Sequence, residues 1–204
     1  MQTIKNIIFD LGGILTGLDR LRCVEAFTRI GAAAVAGYVD ECRQEDLFHE
    51  LEAGHIGEAA FCEAVRRVCP SCRASDETIK GAWETLLTGI PLGRLDMLEA
   101  LKGRYRLVLL SNTNPIHWRK AAGRYFTAAG HDASYYFEKI YLSYITHKLK
   151  PGREAFIHVL TDARMMAGET LLIDDSAANC AAARLLGITA IQQIPARLAA
   201  MRPL

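Results

Sequence analysis

Short apolar runs recur along the chain at residues 4–9, 106–110, 139–142, 170–173 and 188–192, each bounded by turn or helix signals. Continuous apolar runs of this length predict strands buried on both faces. Between the later runs the apolar positions change to helical spacing. Residues 92–101 precede the second run, 153–163 the fourth, and 176–186, closed by Gly187, the fifth. Strands alternating with helices predict a parallel sheet covered on both faces. The stretch from 18 to 90 breaks that alternation: it has no convincing strand, and its helix-compatible segments are 21–30, 35–51, 58–68 and 75–87. Apolar residues there fall at helical intervals, as in Phe61, Ala64, Val65 and Val68, which predicts a small core of the insert's own. The expected organisation is an α/β unit made of residues 1–17 and 91–204, with a helical insert, 18–90, after the first strand.

Composition narrows the partners more than the fold. The 204 residues are 50% hydrophobic and 23% charged, a globular composition, and a chain of this length needs no disulfides to hold a core. Lys and Arg total 24 against 23 Asp and Glu, so no broad electrostatic footprint points to nucleic acid or an anionic membrane. No apolar run approaches the ~20 residues of a membrane span, and the opening MQTIKNIIFDLGG lacks a signal peptide's apolar stretch. A cytoplasmic protein working on a small ligand is expected. Its cysteines, Cys23, Cys42, Cys62, Cys69, Cys72 and Cys180, are then reduced thiols. Cys69-Pro-Ser-Cys72 is a CxxC, but no second ligand pair stands at zinc spacing, so a helix-end or loop pair is favoured over a zinc or redox site.

In an open parallel sheet, ligands bind beyond the carboxyl ends of the strands. The first strand ends in Phe9-Asp10-Leu11-Gly12-Gly13 and the second in Leu110-Ser111-Asn112-Thr113-Asn114. His147-Lys148-Leu149-Lys150-Pro151 follows the third, and the fourth ends in Ile173-Asp174-Asp175-Ser176. Each fragment alone reads as a turn or a cap. Together they bring three carboxylates, a hydroxyl with nearby amides and a lysine to one sheet edge, a donor set for a divalent cation and a phosphate. Oxygen ligands suit Mg²⁺, and lysine and hydroxyl donors offset phosphoryl charge.

The order FDLGG, LSNTN, KP, IDDSAAN resembles the four motifs of the haloacid-dehalogenase-like (HAD) superfamily, from Ile4 to about Ile191, and its wording is most similar to the α-D-glucose-1-phosphate phosphatase-like subgroup. The resemblance implies a doubly wound, mostly parallel Rossmann-like core with an α-helical type 1 cap inserted after the first strand. It implies a Mg²⁺-dependent phosphatase acting on a small phosphorylated metabolite, a sugar phosphate among the candidates, as a monomer or homodimer. Asp10 would be the nucleophile that forms an aspartyl-phosphate. Ser111 and Asn112 would bind the phosphoryl oxygens, and Lys150, rather than Lys148, would balance their charge. Mg²⁺ would be held by Asp10, the Gly12 carbonyl and the Asp174–Asp175 pair, with one of these acids on the metal and the other orienting the site. Asn179 would support Lys150 or the metal shell.

Two positions depart from the pattern. The superfamily's general acid/base aspartate is replaced by Gly12, and the subgroup's later D-x-D reads Gly17-Leu18-Asp19, leaving Asp19 to assist proton transfer or substrate recognition. His117 is a second candidate proton donor, although a partly buried helix position is the more ordinary reading. Trp83 and Trp118 are expected to pack in the cap and core, with Trp83 placed to face the cleft between them. Loss of both glycine-replaced acids also fits a protein that binds a phosphorylated ligand without turning it over. A metal-independent dehalogenase is a further alternative, but adjacent Asp174 and Asp175 would repel without a cation.

Overall fold

In the computed structural model, which describes residues 3–41 and 47–193, one parallel sheet has the strand order β3-β2-β1-β4-β5. β1 (Asn6–Phe9) is central. β2 (Arg106–Ser111) and β3 (Lys139–Leu142) lie to one side of it, and β4 (Thr170–Asp174) and β5 (Thr189–Gln192) to the other. Phe9 pairs with Leu109 in β2 and Ile173 in β4, so these three strands end almost level. Chain order reverses direction at β1. That is the switch point where doubly wound sheets leave a crevice for ligands.

Side chains along β1 alternate between two cores. Ile7 and Phe9 meet Leu107, Leu109 and Leu95 on one face, while Ile8 meets Val108, Leu172 and Phe156 on the other. Neither face of β1, β2 or β4 is left to water, which is why these strands read as unbroken apolar runs, whereas the edge strand β5 is largely exposed, contrary to the burial its apolar run predicts. α6 (Leu92–Lys102) and α8 (Ala133–Tyr136) cover the first face; α10 (Arg153–Asp162) and α11 (Ala177–Leu185) cover the second. A 3-10 turn, Ala167–Glu169, leads into β4.

The described residues of 18–90 form helices, as expected, and no extended strand: α1 (Arg20–Arg29), α2 (Ala33–Glu41), α3 (Leu47–Glu52), α4 (Glu58–Val68) and α5 (Asp76–Glu84). The single helix expected over 35–51 is at least two, and Cys42 lies between them, outside the described residues. These helices enclose their own core of Phe27, Val35, Leu51, Phe61, Val65 and Trp83, closed below by Ile116. Cys69 and Cys72 are buried in it, and all five described cysteines are free thiols. The Cys69 N–H ends α4 on the Val65 carbonyl and the Cys72 N–H returns to the Cys69 carbonyl, so the CxxC forms a tight helix-end turn.

The chain enters and leaves this insert at one place. Thr88 donates its N–H to the Gly17 carbonyl at 3.1 Å, Asp19 donates to Leu86 at 2.8 Å, and Leu18 and Leu87 pair antiparallel. Between β2 and β3 the backbone is more helical than the apolar pattern indicates. α7 (Pro115–Lys120) starts on an Asn114 cap, widens through a π turn at Ala121–Tyr125, tightens through a 3-10 turn at Phe126–Ala129, and stops at Gly130 with φ 85°. Short α9 (Ser143–Thr146) follows β3 directly. Among the described residues, no helix is long and apolar enough to cross a membrane.

Candidate active site

Four of the predicted strand-end motifs meet in space. Lys150 is fully enclosed, and its Nζ stands 2.9 Å from Asp10 Oδ1 and 2.6 Å from Asp174 Oδ2. Asp10 follows β1 and Asp174 ends β4, so adjacent strands deliver the two carboxylates on either side of one ammonium. Asp174 is wholly buried and saturated with donors. Its Oδ1 accepts the Ser176 N–H at 2.9 Å, and the Asn179 amide nitrogen lies 2.9 and 3.0 Å from its two oxygens. Asn179 therefore supports Asp174 rather than Lys150. Asp175 is half-buried and turned towards the glycine turn after β1, where a Cβ on Gly13 would fall 2.0 Å from its Oδ2. One side-chain oxygen from each of Asp10, Asp174 and Asp175 lies within 4.8 Å of the others.

The electrostatics are one-sided. Burial pushes the Asp10 carboxyl up to about 7; Lys150 pulls it down, while Asp174 and Asp175 push it further up. Burial likewise raises Asp175, with Asp174 adding to the rise. For Lys150, burial favours the neutral amine, but the carboxylates of Asp10 and Asp174 hold its ammonium above the usual lysine range. Three carboxylates around one ammonium leave room for further positive charge, and oxygen donors this close fit a hard divalent cation.

The second motif is joined to the third. Ser111 is buried at the end of β2, but the Asn112 side chain is a clamp on the third motif: its Oδ1 accepts the Lys150 N–H at 2.9 Å and its Nδ2 donates to the Lys150 carbonyl at 2.7 Å. Asn112 thus holds the backbone that carries the ammonium. The Lys150–Pro151 peptide bond is cis. Lys148 turns back to the Thr146 carbonyl at 3.2 Å.

The glycines also acquire reasons. A Cβ on Gly17 would stand 2.4 Å from Thr88 Oγ1, so a side chain there requires the exposed Thr88 hydroxyl to turn aside. Asp19 caps α1, accepting the Arg22 N–H at 3.0 Å. His117 is not placed as a proton donor. Its ring lies 4.4 Å from that of Trp83, Nε2 is 2.9 Å from the Trp83 carbonyl, and Nδ1 is 3.2 Å from the Asn114 amide. Burial pulls its pKa down to about 4, so at neutral pH it is an uncharged joint between α7 and α5.

A profile of haloacid dehalogenase-like hydrolases matches residues 4–187, which span all four motifs. The chain belongs to that family. It is 34% identical over 189 residues to the D-ribitol-5-phosphate phosphatase of Bacteroides thetaiotaomicron, covering 93% of this chain and 91% of that protein. A HAD family enzyme from the same organism, solved with magnesium and inorganic phosphate, superposes with a TM-score of 0.87 at 39% identity, over 92% of this chain and 93% of that one. A HAD-like family hydrolase from Porphyromonas gingivalis gives a TM-score of 0.87 at 33% identity, over 98% and 100%.

In this HAD-family chain a cavity of about 420 Å³ lies between the insert and the sheet edge. Asn112, Lys150 and Pro151 line it from the core; Arg20, His49 and Glu52 are among the insert residues that line it. Motif reading cannot find the insert residues, because helical periodicity marks which face is apolar but not which polar residue overhangs a distant strand end. The placement of Ser143 was equally hidden. Buried at the start of α9, its Oγ accepts the Thr113 N–H at 2.9 Å and lies 2.7 Å from the Glu52 carbonyl.

Proposed function

We propose that this hydrolase is a Mg²⁺-dependent phosphatase of a small phosphorylated sugar or polyol, with Asp10 as the nucleophile and residues 18–90 as a cap over the core formed by 1–17 and 91–204. The observation that carries this reading is the carboxylate trio Asp10, Asp174 and Asp175 gathered around the single buried Lys150. The D-ribitol-5-phosphate activity named for the 34% identical relative, and the magnesium and inorganic phosphate in the structural neighbour, agree with it.

Asp10, Asp175 and the Gly12 carbonyl would hold the metal, with Asp174 behind them, because Asp174 already accepts donors at both oxygens. Bound there, Mg²⁺ supplies positive charge to the phosphoryl oxygens and favours the ionised form of Asp10. Asp10 then attacks phosphorus in line as the bond to the leaving alcohol oxygen breaks, and water later hydrolyses the aspartyl-phosphate. Lys150 offsets charge on both the nucleophile and the phosphoryl group. Ser111 and the backbone of Asn112 bind phosphoryl oxygens, and Asn112 keeps Lys150 in place. Asp19, beside the cavity-lining Leu18, assists proton transfer in place of an acid at position 12.

The experiment is phosphate release from ribitol 5-phosphate, glucose 1-phosphate and propyl phosphate, with Mg²⁺ or with EDTA. Turnover is expected only with Mg²⁺ and is lost in Asp10→Asn. Asp19→Asn, which keeps a good helix cap, lowers kcat ~10-fold or more if the side chain moves a proton. Absence of turnover on every ester, together with tight binding of one of them, would instead favour a phospholigand-binding protein, the reading suggested by Gly12 and Gly17.

A further inference from the structure

The cavity wall opposite Lys150 is held by an unusual seat. Glu52 ends α3, and the next two residues are pressed against the core segment that runs from β3 to Lys150. The Ser143 hydroxyl lies 2.7 Å from the Glu52 carbonyl while accepting the Thr113 N–H, one residue past Asn112. His147 Nδ1 is 2.9 Å from the Ala53 carbonyl. Gly54 has φ 72°, and a Cβ there would fall 2.3 Å from the Tyr144 carbonyl oxygen, so the turn leaves no space for a side chain. Glu52 is therefore not carried on a loose loop. Its position is fixed relative to both the second and the third motif.

What surrounds the half-buried Glu52 narrows what it meets. Arg20 lies on the same wall and adds a cation to it. His49 adds a polar ring, and Trp83 and Phe48, with ring centroids 4.2 Å apart, supply apolar faces. A wall with an acceptor, donors and aromatic faces suits an uncharged chain of hydroxyl-bearing carbons, whose O–H groups donate to a carboxylate and whose C–H faces pack on rings.

Building on the phosphatase reading above, we infer that Glu52 is the specificity-determining residue of the cap and binds hydroxyl groups of the leaving alcohol, so that the substrate is a polyhydroxylated chain monophosphate. Ser143 is the positioning residue that holds Glu52 over the phosphoryl site.

The test compares kcat/KM for a pentitol phosphate, propyl phosphate and phosphoethanolamine in wild type, Glu52→Gln, Glu52→Ala and Ser143→Ala, with thermal midpoints as a folding control. Loss of a hydrogen bond to a charged acceptor should lower the preference for pentitol phosphate over propyl phosphate roughly tenfold to hundredfold in Glu52→Ala. Ser143→Ala should raise KM for the pentitol ester more than for the propyl ester, and it reads out the same seat if Glu52→Ala fails to fold. An unchanged preference in both Glu52 variants would overturn the inference. So would a wild-type preference for phosphoethanolamine that disappears with Glu52, since the carboxylate would then recognise an ammonium. Calorimetric binding of the same esters to Asp10→Asn and Asp10→Asn/Glu52→Ala, with Mg²⁺, repeats the comparison without turnover. If wild type hydrolyses no ester, the phosphatase reading falls, and calorimetry still decides for or against Glu52.

Discussion

Gly13 shows how little freedom one position near the trio has. Its φ of 74° lies in the left-handed region, and a Cβ would meet Asp175 Oδ2 at 2.0 Å. Gly13→Ala combines backbone strain of about 1–3 kcal/mol with displacement of the Asp175 carboxylate. The expected outcome is a fall of tenfold or more in apparent Mg²⁺ affinity, read by titrating metal against activity, together with a lower denaturation midpoint. Gly12 is under no such constraint, because a Cβ there would meet only the Leu18 methyl groups at 3.7 Å. Gly12→Ala should fold with stability within about 1 kcal/mol of wild type, measured by urea denaturation. The two neighbouring glycines thus exist for different reasons. Position 12 has space for a Cβ, whereas at position 13 both the backbone conformation and the Asp175 carboxylate oppose one. At Gly17 a Cβ would meet only the exposed Thr88 side chain, its hydroxyl at 2.4 Å, and the backbone there is not in the left-handed region.

Between elements, the insert is fastened to the core by two seams on either side of the cavity. Ser143 and His147 hold the end of α3 on one side. On the other, α7 holds α5: His117 meets the Trp83 carbonyl, Lys120 donates to the Glu84 carbonyl at 2.6 Å, and Arg119 pairs with Glu58 of α4 through both guanidinium nitrogens at 2.8 Å. The Arg119–Glu58 pair is largely solvated and contributes under about 1 kcal/mol. His117 matters more, because it is buried and neutral. Burial sets its folded pKa at about 4 against 6.5 when unfolded, so between these values the unfolded state binds more protons. Its contribution to stability is therefore complete above pH 6.5 and declines as pH falls, by ~1.4 kcal/mol per unit, to a total loss of about 3 kcal/mol near pH 4. His117→Gln has no proton to gain, and urea denaturation at pH 7 and pH 5 should show a smaller loss of stability on acidification than in wild type. Equal losses in the two proteins would remove His117 as the source.

For the molecule as a whole, the trio Asp10, Asp174 and Asp175 comes together only on folding, so a cation bound there is linked to global stability. Mg²⁺ at a hundred times its dissociation constant should stabilise the fold by about 2.7 kcal/mol, seen as a rise in Tm that EDTA reverses. Asp175→Asn should abolish most of that rise. The strand ends are legible in the sequence: FDLGG, LSNTN, KP and IDDSAAN stand at predicted strand ends, and Asp10, Lys150 and Asp174 do converge there. The insert was legible too, because amphipathic helices replace the strand–helix alternation over 18–90. These features are local, written in side-chain period and in residue types a few positions apart, and such patterns survive without knowledge of the fold. Tertiary structure alone separated Asp174, saturated by Lys150, Ser176 and Asn179, from Asp175. It likewise turned the Asn112 side chain onto Lys150, made His117 a joint and put Glu52 on the wall of the cavity that Lys150 lines. Each of those outcomes depends on which atoms face one another across helices and strands from separate parts of the chain, a distance and an orientation that no local pattern encodes.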